Sequence, residues 1–220
     1  MTIPAKSRGA CLSLSCILSL AVAIIIIICL FSTGYRWLDD KGNFIRGKRS
    51  FGLLRYCWDP YETKTHSASP DTDGHLCYRR SKPPNDEKPL DLTYYYADFE
   101  MITLILLSIS AGSIIIGLCF AICSIFTKFG ALSHCVMQLV ATICCTSGFV
   151  VYTYFNDLRE NQSEIISGTI LMYHYGWAYY CTGACSVLSL LAFICSVFGS
   201  AFFIIHSSEK NKSKVESIPL

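Results

Sequence analysis

Two cysteines are the residues best placed for covalent chemistry in this chain. It holds 13 cysteines, and nearly all lie in apolar stretches, where a thiol behaves as a small hydrophobe. Only Cys57 and Cys77 lie in polar sequence. A bond between them would close a loop of about twenty residues, worth ~3 kcal/mol in the chain-entropy model. The alternatives are two free thiols, or pairing with Cys29 or Cys181. Asn161-Gln162-Ser163 fits the acceptor pattern for N-glycosylation, as does Asn211-Lys212-Ser213. No other residue arrangement in the sequence points to catalysis. His134 and His206 sit near helix ends with no carboxylate or second histidine beside them in sequence. Cys144-Cys145 has no nearby base and no Cys-x-x-Cys spacing, and desolvation opposes thiolate formation there. No phosphate-binding glycine loop, metal cluster or nucleophile elbow is present. The expectation is a protein that is not an enzyme and uses no cofactor or metal.

The elements that must carry these residues are set by hydropathy. The chain is 220 residues long, 52% hydrophobic and 15% charged, against about a quarter charged in soluble domains. Crossing a bilayer as a helix takes ~20 apolar residues. Four stretches without Asp, Glu, Lys or Arg exceed that length: Gly9 to Phe31, Met101 to Thr127, Phe129 to Asn156, and Tyr175 to Ile205, the last helix being read as 175–206. In lipid the backbone must satisfy its own hydrogen bonds, so each is expected to be a helix. The first is longer than a signal-peptide core of ~7–15 residues and is read as retained. The whole chain, 1–220, is therefore read as a single tetraspan unit that contacts membrane lipid. The net charge of +2 is too small to imply nucleic acid.

Orientation follows from positive charge in short flanking segments. Lys6 and Arg8 precede the first helix, Lys128 forms the turn between the second and third, and Lys210, Lys212 and Lys214 follow the fourth. Segments 1–8, 128 and 207–220 are thus expected in the cytoplasm of a plasma-membrane protein, and 32–100 and 157–174 outside. Tyr and Trp gather at the expected outer ends, as headgroup-level aromatics do. Asn211 then lies inside, out of reach of glycosylation, and Asn161 outside. In the first outer loop, Ser50 to Trp58 reads as a strand, Asn43 to Ser50 as its partner through a turn near Gly47, and Leu76 to Arg79 as another short strand. The expected fold is a four-helix membrane bundle with a small antiparallel sheet from that loop. Small residues (Ala111, Gly112, Ser113, Gly117, Gly148, Gly183, Ala184, Ser186) are read as helix-packing positions. The tail 207–220 reads as disordered. Its end, Ile218-Pro219-Leu220, weakly fits carboxylate capture by a PDZ-type domain.

Three features together resemble the superfamily of claudins, peripheral myelin protein and voltage-dependent calcium channel gamma subunits. One is four spans with a long first outer loop. The second is Trp37 followed by Gly52, Leu53, Leu54, Arg55 and Cys57, and later Cys77. This is similar to a Trp…Gly-Leu-Trp…Cys…Cys signature with Leu54 in place of Trp. The third is Tyr175-Gly176-Trp177 opening the last helix, similar to the gamma subunits. Claudins space the two loop cysteines more closely, so the resemblance leans toward the gamma-like branch. It implies a bundle capped by an extracellular sheet that the disulfide holds. It also implies a non-enzymatic auxiliary subunit that binds a channel or receptor laterally and alters its gating or trafficking. The alternative it implies is a claudin-like junction or adhesion protein making homotypic contacts.

Overall fold

The computed structural model describes residues 5–40, 47–60, 76–80, 97–123, 128–166 and 169–216. Four long helices dominate: α1 (Ala5–Phe31), α2 (Asp98–Cys123), α3 (Lys128–Asn156) and α5 (Trp177–Glu216). Each contains a segment long and apolar enough to cross a bilayer: Ala10–Phe31, Asp98–Cys123, Phe129–Asn156 and Trp177–Ala201. Their outward residues are large and apolar, including Ile17, Ile24, Ile116, Ile122, Leu132, Ile143, Val187 and Phe198. Such continuous exposure would be a liability in water and is ordinary against lipid. α5 runs on to Glu216, where a disordered tail was expected. Ser207 to Glu216 contains neither Gly nor Pro, and extending an existing helix costs far less than nucleating one. The PDZ-like ending falls on 217–220, outside the described residues, as do 124–127 at the expected end of the second span; Lys128, expected as the turn, is instead the first residue of α3.

Five strands form one antiparallel sheet in the order β4-β3-β2-β1-β7. They are β1 (Arg36–Asp40), β2 (Gly47–Phe51), β3 (Arg55–Pro60), β4 (Leu76–Arg79) and β7 (His174–Tyr175). The sheet was expected, but its register differs. Gly47 lies in a strand, and the chain turns instead at Gly52–Leu54, where Gly52 N–H donates to the Arg55 carbonyl at 2.8 Å. β1 had not been expected; its charged Asp39-Asp40 ending masks an alternating pattern. The described residues of the second expected loop also form regular structure: a short helix α4 (Arg159–Gln162) leads into β5 (Ser163–Ile166), which pairs antiparallel with β6 (Thr169–Met172).

Contacts divide the chain into two units. One comprises 27–107 and 147–183 and contains the sheet with its core of Leu38, Phe51 and Tyr56, against which Leu171 and Tyr173 pack. The other comprises 1–26, 108–146 and 184–220; its described residues are helical, and a buried polar seam runs through it. Ser19 donates to Gln138 at 2.9 Å, and Ser189 to Thr142 at 2.8 Å. Ser110 donates to the Ala141 carbonyl at 2.9 Å. His134, noted for its place near a helix end, is fully buried. Its Nδ1 lies 2.9 Å from the Gly117 carbonyl, which can only accept, so Nδ1 carries the proton. Its Nε2 lies 3.3 Å from the Ser15 hydroxyl. Of the small residues, Gly117 faces His134 and Met137, whereas a side chain on Gly112 would meet open space.

Candidate functional site: the sheet platform

Alternation along the strands gives the sheet two unlike faces. Arg36, Leu38, Arg49, Phe51 and Tyr56 are buried on one. Trp37, Lys48, Ser50, Arg55, Cys57, Cys77 and Arg79 share the other, as the register requires. The buried face ends in an ionic cluster. Glu100 in the first turn of α2 is 1% exposed. It meets Arg36 at 2.9 Å through Oε1 and Arg80 at 2.6 Å through Oε2. Oε2 also accepts the Ala97 N–H at 3.1 Å, the bond of a glutamate at the third helical position reaching back to the cap. Arg80 Nη1 donates to the Gly52 carbonyl at 2.9 Å. The Arg36 guanidinium lies 4.3 Å from the centroid of the Tyr173 ring, and Phe51 and Phe99 flank it at 5.4 and 5.9 Å. Two cations on one carboxylate would be costly in a dry site; the aromatic faces and backbone oxygen compensate.

The cluster corrects the expectation that the spans lack acidic residues, because α2 begins at Asp98 and includes Glu100. It escaped the sequence because Arg36, Arg80 and Glu100 are far apart along the chain. The one signal was Glu100 itself, an acid directly abutting an apolar run.

The residues singled out from the sequence fall around this platform. Gly52 is buried, and a Cβ there would overlap the Ser32 carbonyl. Leu53 beside it is fully buried. The Arg80 N–H bonds the Leu54 carbonyl at 3.1 Å. Cys57 and Cys77 are cross-strand partners joined by a disulfide. Trp37 stacks on His174 with centroids 4.6 Å apart, and Lys48 lies 5.1 Å from the Trp37 ring centroid. Gly176 is buried, where any side chain would meet the Gly34 carbonyl, and that carbonyl accepts the Ala178 N–H at 2.9 Å. Trp177 covers Gly34 with its indole and remains 53% exposed. Tyr175 pairs with Arg36 in the sheet and hydrogen-bonds Asp157 through its hydroxyl. Burial, and after it the Asp157 carboxylate, push the Tyr175 phenol up to about 12. Asn161 lies in α4, where its side-chain amide donates to the Phe155 carbonyl at 2.7 Å.

Among the described residues, no group of three His, Cys, Asp or Glu side chains is arranged as metal ligands. What the arrangement provides is a rigid surface of fixed charge and aromatic groups.

Comparison with protein-family models matches residues 21–195 to the family described as PMP-22/EMP/MP20/Claudin tight junction. The chain belongs to that family. The match takes in α2 and α3 whole, the second half of the first span, most of the fourth, the sheet and both joined cysteines, so this is a claudin-family tetraspan membrane protein. Comparison with curated proteins returns no match.

Proposed function

We propose that this claudin-family protein is a non-enzymatic regulatory subunit that binds a channel or receptor side by side in the same membrane. On this reading the sheet lies outside the cell and both termini lie in the cytoplasm of a plasma-membrane protein, as the Lys and Arg pattern indicates. Asn161 is then a glycan acceptor, once its amide is released from Phe155. The supporting observation is the way the sheet is held. β7 joins it to the start of α5, and Glu100 joins it to the start of α2. The exposed face, with Trp37, His174 and Lys48, is therefore presented on fixed helix ends. A rigid face costs little ordering entropy on binding. A subunit shifts gating only by binding one state of its partner better than another. The opening Tyr175-Gly176-Trp177 leans this reading toward the gamma-like branch.

Affinity purification from native membrane in mild detergent tests the proposal. A channel or receptor polypeptide should co-purify, and Trp177→Phe should weaken that association while surface level stays near normal. Recovery of nothing but further copies of this chain would overturn it. The family's description names tight junctions, which favours one alternative: homotypic contact between cells. That reading expects the protein at cell borders and adhesion of expressing cells to each other.

A further inference from the structure

The exposed sheet face carries two like charges where the fold gains nothing from them. Arg55 and Arg79 are directly opposite on β3 and β4, and both are exposed. Side chains directly opposite share a face, and like charges there repel. Among the described residues neither arginine has a carboxylate partner. The next pair on that face is the Cys57–Cys77 disulfide, which fixes the register and keeps the two cations together.

Beside Arg55 lies a groove of about 650 Å³ lined by Ile27, Ile28, Phe31, Arg55, the disulfide and Trp177; Arg79 is Arg55's cross-strand neighbour. Its chemistry changes from one end to the other. Ile28 and Phe31, 52% and 57% exposed, belong to the last turn of the apolar span Ala10–Phe31. Trp177 opens the span Trp177–Ala201, at the depth where indoles meet headgroups. Arg55 lies beyond both span ends, in the sheet. An apolar wall at hydrocarbon depth with cations at headgroup depth fits an amphiphile whose acyl chain and anion lie in that order. A carboxylate on a neighbouring protein would match the charge but leave the wall uncovered.

We propose that this groove holds an anionic glycerophospholipid, its phosphate bridging Arg55 and Arg79 and one acyl chain lying along Ile27, Ile28 and Phe31. Guanidinium groups favour phosphate because their planar donors can engage two oxygens at once. The site does not depend on which protein, if any, the sheet face binds.

The test uses the full chain in mild detergent, mixed with phosphatidylglycerol, with bound lipid counted by native mass spectrometry. Wild type should retain phosphatidylglycerol. Losing a charged hydrogen-bonding partner weakens binding by about tenfold per residue. Arg55→Gln and Arg79→Gln should each show that loss, and the double variant more. Phe31→Ala should weaken retention of the long-chain lipid but not of a glycerol phosphate without chains. Lys48→Gln, on the same face but outside the groove, should leave the amount of bound phosphatidylglycerol unchanged. The arginine variants remove repulsion, so their melting temperatures should equal or exceed wild type. Undiminished phosphatidylglycerol in the double variant would overturn the site. So would an equal loss in Lys48→Gln, which would mean diffuse surface charge. Loss of a co-purifying polypeptide with lipid unchanged would assign the arginines to a protein carboxylate instead.

Discussion

In segments 1–26, 108–146 and 184–220, buried hydroxyls, an amide and one imidazole meet each other and backbone carbonyls. In 27–107 and 147–183, two guanidinium groups meet one carboxylate, a disulfide crosses two strands, and aromatic rings fill the space between. The first set is a chain of weak, replaceable bonds. Interhelical hydrogen bonds in membranes contribute only about 0.6 kcal/mol on average. The second set is a small number of strong bonds, each of which leaves something costly behind when cut. Fixing a binding face calls for the second kind, because a charge cluster has one geometry and a hydroxyl seam has several.

Breaking the ionic cluster should have the largest effect. Glu100→Gln leaves Arg36 and Arg80 buried without their shared carboxylate. Removing one partner from a buried pair costs about 3–5 kcal/mol. The expected outcome is a large fall in thermal stability, measured in detergent, and failure to reach the cell surface. A variant that melts like wild type would show the cluster to be ornamental.

Cutting the disulfide should come next. Cys57→Ser opens a loop of sequence separation 20, and the chain-entropy model puts that at ~3 kcal/mol. Surface delivery should drop because an opened sheet exposes Phe51 and Tyr56. Non-reducing peptide mapping of the wild type should recover Cys57 and Cys77 only as one linked peptide pair.

The contrast sharpens with Gln138→Leu. This change removes the Ser19 partner at 2.9 Å and replaces the amide with an apolar group of similar size. A loss of about 1 kcal/mol or less is expected, read as a small shift in melting temperature with surface level unchanged. A loss as large as that of Glu100→Gln would erase the distinction between the two regions.

The sequence made some of these features plain. The four spans were legible because a run without charge is a one-dimensional signal. Cys57 and Cys77 stood out because polar sequence isolates them among many membrane thiols. Gly176 was visible as the centre of the Tyr175-Gly176-Trp177 opening, and the Gly34 carbonyl approaches it where a side chain would stand. Four features were not legible, each for a physical reason. β1 is short, and its partners are set by pairing with β2 and with the distant β7. The turn at Gly52–Leu54 depends on where Ser32 and Arg80 lie, since Gly52 must admit one and bond the other. The cluster of Arg36, Arg80 and Glu100 is a tertiary fact, and no local pattern announces that three charges far apart in sequence will share one dry site. The pairing of β5 with β6 lay in what read as a plain loop, because the two strands are only four residues each.

Photocrosslinking from the sheet face tests the central claim most directly. A benzophenone side chain placed at Lys48, on cells dispersed so that none touch, should form an adduct with a second, different membrane protein of the same cell. The adduct should vanish when Glu100→Gln is added, because the face is then no longer held. Adducts formed only with this same chain, and only where cells are in contact, would contradict the account and leave the junctional reading in its place.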